Sequence, residues 1–282
     1  MSKLDAFVIE NARLDKQIYT VNEYITLSNL ADKSVLVTIT KPVDTMNEVS
    51  YESSGVVFYN ALRLGLPKLN LKVTWPSSEY EKTLYNIFRN RNTFLFKFSS
   101  ATNDDVEKDT SEVLITEEEL TSILNFHLLY IEHSKNQIAS REASEWKETR
   151  WNYALDQYIS ACSSTTIEQS NQLLITGLEA LLVTGEGNLQ YKVSLNAALM
   201  LADSYEQRTD IMDLVKKMYN LRSKATHGEI AALVKLLNKP SVYDDYFELK
   251  RIFSQLLLLT YGKSEKEIFN RLDVVLLSGP SF

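Results

Sequence analysis

Apolar and polar residues alternate along several stretches of the first hundred residues, a pattern typical of half-buried β-strands. Residues 68–75 have the sequence KLNLKVTW, in which every second residue is apolar. Residues 34–40 (SVLVTIT) and 93–98 (TFLFKF) alternate in the same way. Residues 77–90 keep apolar side chains at helical spacing behind a serine cap. We therefore predict a small mixed α/β domain over residues 1–103, with at least one strand–helix–strand unit.

An acidic stretch follows this domain. Eight acidic residues and a single lysine lie between Asp104 and Glu119, and apolar residues are nearly absent before Val113. Such a composition is typical of a solvated connection, so we predict a linker over residues 104–115. Thr116 and Glu119 have the spacing of a capping box, which predicts that a helix begins directly after the linker.

Helical spacing of the apolar residues dominates the rest of the chain, which predicts an all-α domain over residues 116–282. The clearest turn is TGEGN, residues 184–188, with two glycines and an asparagine. The predicted fold class is therefore α+β, with the small mixed α/β domain first and a helical bundle after it. The predicted helices cover residues 117–137, 145–161, 167–183, 189–202, 206–226, 243–261 and 264–276.

The predicted helix 206–226 carries an arginine in line with its apolar stripe. Arg222 lies four residues after Met218 and seven after Val215, so it continues that face. An unpaired guanidinium is costly to bury. Arg222 should therefore reach a carboxylate, a subunit interface or a ligand phosphate. The stripe itself consists of Ile211, Leu214, Val215, Met218 and Leu221.

A histidine lies near the end of the same helix. His227 belongs to a polar line that also contains Asn220 and Ser223. It is five residues from Arg222, which is roughly 140° around an ideal helix. The two side chains would converge on one ligand only if the arginine bends across the surface and the helix unwinds near the histidine. Gly228 is suited to end the helix, because glycine adopts left-handed backbone geometry easily.

Residues 214–228 form a local cationic segment in an acidic chain. The net charge is −7, from 30 basic and 37 acidic residues, so a protein that simply coats nucleic acid is not expected. The segment contains Lys216, Lys217, Arg222 and Lys224 and no acidic residue. It predicts either an anion-binding surface or an ordinary helix end, where cations accumulate because the helix dipole favours them.

Cysteine usage and the length of the apolar runs predict a cytoplasmic protein that does not associate with membranes. Cys162 is the only cysteine, which excludes an intramolecular disulfide and a cysteine-based zinc site. The first residues do not resemble a signal peptide, and no apolar run is long enough to span a membrane. No cofactor is expected, because the phosphate-loop and dinucleotide motifs do not occur. His127 and His133 face different sides of one predicted helix, so no metal site is expected either.

Three motifs follow one another between residues 169 and 228: a helix with GLEALL, a helix with YKVSLNAALML after a polar turn, and a helix that ends in YNLRSKATHG. In these features the segment resembles the HEPN superfamily (higher eukaryotes and prokaryotes nucleotide-binding domain) and, within it, the Apea-like group. The resemblance implies a HEPN-like helical bundle. Catalytic members of the family are metal-independent endoribonucleases of toxin–antitoxin and antiviral systems, and other members only bind.

The functional signature of the family is an arginine followed, after four to six residues, by a histidine. Arg222 and His227 match this signature. Many members have Asn, Asp or His directly after the arginine, whereas this chain has Ser223, as is normal in the Apea-like group. The resemblance also implies RNA as the substrate, a homodimer with the active site at its interface, and an antitoxin or a phage-derived trigger as a further partner.

The chemistry of these residue types agrees with RNA cleavage. Attack by the 2′-hydroxyl on the adjacent phosphate needs a proton acceptor, a proton donor and a cation for the phosphorane charge. Arg222 could supply the cation and His227 could transfer protons. One histidine cannot be acid and base in the same step, which favours a homodimer. The residues expected to support catalysis or bind RNA are Asn220, Ser223, Lys224, Lys217 and Glu179.

Two alternatives remain at this stage. Glu179, within GLEALL, either pairs with a cation such as Arg222 or is a simple surface glutamate. The protein is either an endoribonuclease of HEPN type, with the N-terminal domain as a sensor or regulator, or a non-catalytic HEPN module for dimerisation and for RNA or nucleotide binding. The intact arginine–histidine pair favours the enzyme, and the acidic net charge favours the binding module.

Overall fold

The computed structural model describes residues 3–10, 12–30, 34–41, 55–66, 73–74, 113–142, 149–164 and 166–277. The chain forms two compact units, Met1–Glu145 and Trp146–Phe282. The first unit contains strands and helices, and the described part of the second contains helices. The α+β class predicted from the sequence is confirmed in this sense.

Most strands of the first unit belong to one antiparallel sheet. Its order is β3-β4-β5-β1-β6, and β2 and β7 form a separate parallel pair. The described elements of this unit are β1 (Lys3–Glu10), β2 (Ala12–Leu14), β3 (Ile18–Thr20), β4 (Ile25–Asn29), β5 (Ser34–Lys41), α1 (Gly55–Gly65), β6 (Val73–Thr74), β7 (Val113–Ile115) and α2 (Glu117–Glu142).

Burial alternates along the central strands of this sheet. Ile25 and Leu27 of β4 lie opposite Ile39 and Val37 of β5, and all four side chains are buried. A shift of one residue would turn these side chains to the other face, so the apolar pattern determines the register. The strand predicted over residues 34–40 is confirmed, because it lies within β5.

The other strand and helix predictions in this unit overlap the described residues only in part. Val73–Thr74, within the predicted strand 68–75, form the short strand β6 next to β1. The rest of that segment, the predicted helix 77–90 and the predicted strand 93–98 lie outside the described residues.

α1 and α2 pack closely against each other. A Cβ atom on Gly65 would lie 2.7 Å from Ile123 Cγ1, so the approach requires a glycine at this position. The predicted capping box at the start of α2 is confirmed. The Thr116 N–H donates to Glu119 Oε2 (2.9 Å), and the Glu119 N–H donates to Thr116 Oγ1 (3.3 Å).

The boundary between the two units follows Glu145, later in the chain than residue 116, where the helical domain was predicted to begin. A helical domain beginning at residue 116 would include α2, but α2 packs against α1 and belongs to the first unit. Within the predicted linker 104–115, Val113–Ile115 form strand β7, and residues 104–112 lie outside the described residues. Helical spacing reveals that α2 has an apolar face, but it does not reveal which neighbour covers that face.

The described part of the second unit consists of helices that closely follow the predicted ones. Some of these helices begin at a side-chain cap, since the side chains of Thr149, Thr166 and Ser204 each accept a backbone N–H three residues later. Such a cap stabilises a helix by about 1 kcal/mol. The short helix α7 was not predicted. The helices are α3 (Arg150–Cys162), α4 (Ile167–Leu182), α5 (Leu189–Leu201), α6 (Tyr205–Thr226), α7 (Ile230–Leu237), α8 (Val242–Thr260) and α9 (Glu265–Leu277).

Helix α8 lies at the centre of the second unit and contacts α3, α4, α5 and α6. Its fully buried Phe253 meets Tyr158 of α3 edge to face, with 5.4 Å between the ring centroids. Phe253 also lies against Gly177 of α4, where a Cβ atom would be 2.5 Å from the ring. This packing holds α4, one of the two helices that carry the candidate site, against α8.

Candidate functional site

The candidate site lies at the C-terminal end of α6. Val215, Met218 and Leu221 of the predicted stripe are buried, so this face of the helix is turned toward the core. The helix ends at Thr226, and Gly228 takes the left-handed conformation with φ of +68°. A side chain at Gly228 would be strained there, which explains why α6 ends where the sequence predicts.

Arg222 pairs with Glu179 of α4. Its Nη2 atom lies 3.6 Å from Glu179 Oε2, and the two side chains are 26% and 18% exposed. Of the partners that the sequence leaves open for Arg222, the fold therefore supplies a carboxylate of the same chain. A partly exposed pair of this kind stabilises the fold by only about 0.2–1 kcal/mol, so the fold itself gains little from Arg222.

Tyr219 forms a cluster with Arg222 and Glu179, and it was not singled out from the sequence. Its hydroxyl donates to Glu179 Oε1 (2.7 Å), and the Arg222 guanidinium lies 5.5 Å from its ring centroid. Burial, together with the hydrogen bond to Glu179 and the charge of that carboxylate, raises the pKa of Tyr219 to about 12, although Arg222 opposes the shift. The sequence held one signal for Tyr219, namely its position three residues before Arg222, because residues three apart in a helix share a face.

A buried amide connects α4 and α6 next to the cluster. Asn171 of α4 is fully buried, and its Nδ2 atom donates to the backbone carbonyl of Met218 (2.9 Å). Met218 precedes Arg222 by one helical turn, so this hydrogen bond holds the part of α6 that carries the arginine against α4.

Lys217 takes a structural position. Its Nζ atom contacts the Asp245 carboxylate of α8 and also donates to Ser241 Oγ (2.9 Å). These contacts tie the middle of α6 to the start of α8. Lys217 was predicted to support catalysis or bind RNA. In the structure its side chain links two helices instead.

The other two lysines of the cationic segment also have carboxylates nearby. Lys224 Nζ lies 2.6 Å from Glu229 Oε2, and Lys216 Nζ lies 3.8 Å from Asp213 Oδ1. Asp213 and Glu229 flank residues 214–228 in sequence, so the segment is less positive in the fold than its own composition suggests.

The polar line of the sequence is on the accessible side of α6. Asn220 and His227 are exposed, and Ser223 is half-buried. His227 is the C-terminal cap residue, and its backbone N–H donates to the Ser223 carbonyl (3.0 Å). Within the described residues, no hydrogen bond joins the His227 and Arg222 side chains. A single chain thus presents both groups at one helix end without a hydrogen bond between them.

The other histidines lie in the first unit. His127 is buried, with its ring 5.4 Å from the ring of Phe58, and burial lowers the pKa of His133. Across the described ranges, no group of three or more His, Cys, Asp or Glu side chains could hold a metal ion. The cluster at the end of α6 is accordingly the strongest candidate site in the part of the chain that the structure describes.

Two further findings concern the chain as a whole. Among the described helices, none is both long and apolar enough to cross a membrane. Comparison with protein-family models, curated proteins and solved structures found no match for this chain.

Proposed function

We propose that this protein is an endoribonuclease of HEPN type that cuts RNA without a metal ion, and that its second unit is a HEPN-like bundle. The observation that carries the proposal is the end of α6. Arg222 comes no closer than 3.6 Å to Glu179, and exposed His227 caps the same helix. These two residues occupy the arginine and histidine positions of the signature that residues 169–228 resemble.

In the proposed reaction the 2′-hydroxyl oxygen of RNA attacks the adjacent phosphorus atom, and the bond to the 5′-oxygen breaks. The products are a 2′,3′-cyclic phosphate and a 5′-hydroxyl. Arg222 neutralises the charge that develops on the phosphorane oxygens, because a guanidinium stays charged and matches phosphate geometry. His227 accepts the proton of the 2′-hydroxyl or donates a proton to the leaving oxygen.

The proposed active form is a homodimer. One histidine cannot accept and donate a proton in the same step, and no hydrogen bond joins the described side chains of Arg222 and His227 within one chain. Two chains whose α6 ends face each other would provide two histidines and two arginines around one phosphate. In this proposal the first unit acts as a sensor or regulator, which responds to an antitoxin or to a phage-derived trigger.

The central test compares RNA cleavage by the wild type, Arg222→Ala and His227→Ala in the presence of EDTA. We expect the wild type to cleave and each variant to lose about 10²-fold or more in rate, as expected for the loss of a proton-transfer group or of an electrostatic contact in the transition state. The variants should keep the melting temperature of the wild type within a few degrees, because neither side chain belongs to the core. Lys216→Ala is the matched control, since it also removes a positive charge from α6.

Sequencing of the cut ends identifies the chemistry, with a 5′-hydroxyl expected on the downstream fragment. A strict requirement for added Mg²⁺, or 5′-phosphate ends, would contradict the proposal. The dimer is tested by mixing. Excess His227→Ala subunits should lower wild-type activity more than dilution does, and activity that simply follows the amount of wild-type chain would rule out a shared site.

The second candidate function is a non-catalytic HEPN module for dimerisation and for RNA or nucleotide binding. It is favoured by one observation, namely that all four cations of residues 214–228 have a carboxylate within 4 Å. This candidate predicts that Arg222→Ala weakens binding to an RNA oligonucleotide while no variant, and no wild-type sample, produces cut ends.

A further inference from the structure

The two oxygens of the Glu179 carboxylate have different partners. Oε1 accepts the hydroxyl of Tyr219 at 2.7 Å, whereas Oε2 lies 3.6 Å from Arg222 Nη2. Both Tyr219 and Arg222 belong to α6, one helical turn apart, and Glu179 reaches them from α4. The carboxylate is therefore shared between a short hydrogen bond from a neutral hydroxyl and a long contact to a cation.

This arrangement differs from the usual geometry of an arginine–carboxylate pair. Such pairs are frequently bidentate, with two parallel N–H···O bonds of about 2.7–2.9 Å. A bidentate pair would occupy two of the five N–H donors of the guanidinium and would neutralise its charge at short range. Here the shortest distance between the two groups is 3.6 Å, no hydrogen bond joins them among the described residues, and the ring of Tyr219 lies beside the guanidinium.

We propose that Tyr219 is a positioning residue, whose hydroxyl holds Glu179 back from a close bidentate pair with Arg222 and so keeps the guanidinium fork open to a phosphate oxygen pair. That the anion is an RNA phosphodiester rests on the function proposed above. The restraint of Glu179 by Tyr219 does not depend on that function, because it follows from the contacts within this chain.

The hydroxyl can act in this way throughout the neutral pH range. Tyr219 has its pKa raised to about 12, so its oxygen carries a proton to donate wherever Arg222 could meet RNA. Replacement of Tyr219 by phenylalanine removes only the hydroxyl and keeps the ring. In that variant both oxygens of Glu179 would be free to turn toward Arg222.

The reactivity of Arg222 toward phenylglyoxal tests the inference without RNA. In the full-length chain, mass spectrometry of peptides follows the modification of Arg222 and, as an internal control, of Arg208. We expect Tyr219→Phe to slow the modification of Arg222 by about 2- to 5-fold, the size of a partly exposed ion pair, and to leave Arg208 unchanged. Glu179→Gln should accelerate the modification of Arg222.

The double variant Tyr219→Phe/Glu179→Gln separates positioning from a merely structural role. If the hydroxyl acts by restraining the carboxylate, removal of the carboxylate charge abolishes the effect of the missing hydroxyl, and Arg222 reacts as fast as in Glu179→Gln alone. Additive effects, or an unchanged Arg222 rate in Tyr219→Phe, would overturn the inference. If Tyr219→Phe does not fold, a Glu179→Gln rate equal to the wild-type rate would overturn it instead.

Binding of a 2′-O-methyl RNA oligonucleotide, which cannot be cut by its own 2′-oxygen, connects the inference to the proposed function. Tyr219→Phe should weaken binding by about the same 2- to 5-fold, and the double variant should not show this loss. If Arg222→Ala leaves RNA binding and cleavage unchanged while the phenylglyoxal result holds, the proposed function fails and the role of Tyr219 stands.

Discussion

The hydroxyl of Tyr219 makes the free energy of unfolding depend on pH in the alkaline range. Its pKa is about 12 in the fold, against 10.0 for an ordinary tyrosine. The neutral form is therefore favoured by folding. This contribution is fully present below about pH 10 and is lost as the pH rises toward about 12, because the unfolded chain releases its proton first.

We predict that Tyr219→Phe loses less stability than the wild type between about pH 9 and about pH 12, because it has no hydroxyl to titrate. Urea unfolding at a series of pH values measures the difference. The variant should be slightly less stable than the wild type at neutral pH, where it lacks the hydrogen bond to Glu179. Tyr191→Phe is the control, since Tyr191 is 55% exposed. Parallel pH profiles for the wild type and Tyr219→Phe would contradict the prediction.

At the same scale, part of the candidate site could be predicted from the sequence and part could not. A cation on an apolar stripe must find a partner, so the need of Arg222 for an anion was predictable from spacing alone. The partner of Lys217 was not, because Asp245 follows it by 28 residues and meets it only through the packing of α6 against α8. The role of Tyr219 depends in the same way on the approach of α4.

At the scale of the elements, the close contact between α4 and α8 depends on a glycine, Gly177, which has no side chain. A Cβ atom on Gly177 would lie 2.5 Å from Phe253 Cζ and 3.0 Å from Gln157 Cβ. We predict that Gly177→Ala destabilises the second unit. Alanine favours a helix over glycine by about 1 kcal/mol, but overpacking of a fully buried ring costs typically about 1–3 kcal/mol.

Urea unfolding of Gly177→Ala and of Gly177→Ala/Phe253→Leu measures this balance. Gly177→Ala should cost less stability when it is added to Phe253→Leu than when it is added to the wild type, because the smaller leucine gives the new methyl group room. Increased stability of the single variant, which helix propensity alone predicts, would mean that α4 and α8 do not approach this closely in solution.

The bounds of helices were predictable where caps and periodicity are local. Gly228 marks the end of α6 within the sequence itself, and the predicted helix 206–226 agrees with Tyr205–Thr226 to within one residue. Helix α7, Ile230–Leu237, was missed because seven of its eight residues, IAALVKLL, are apolar and the segment is too short to repeat a helical pattern. Its Leu233 is buried while Ile230 is 63% exposed, a difference that only the fold decides.

For the whole molecule, the division into units predicts which fragment folds alone. Residues 149–282 contain α3 to α9 and the core around Phe253. We predict that this fragment is helical and unfolds cooperatively, as followed by circular dichroism during heating. Residues 116–282 form the matched control. That longer fragment keeps α2 without α1, so the apolar side chains of Ile123 and Phe126 would be uncovered and the fragment should aggregate more readily.

The opposite result, a soluble longer fragment and an unfolded shorter one, would support the boundary predicted from the sequence. The sequence pattern could not decide between these two domain boundaries. An amphipathic helix next to a linker has the same spacing whether it packs on an element before it or on the helices after it.

The buried amide of Asn171 also determines where this chain can change in length. Because it binds the carbonyl of Met218, it fixes the rotation of α6 about its own axis relative to α4. Deleting one residue between Met218 and Arg222 would turn the arginine by about 100° and carry it away from Glu179. The same deletion in the surface turn at residues 184–188 would leave that angle unaltered. Length variants that keep the Arg222–Glu179 pair should therefore carry their insertions and deletions in the turns, with the spacing from Met218 to Arg222 unchanged.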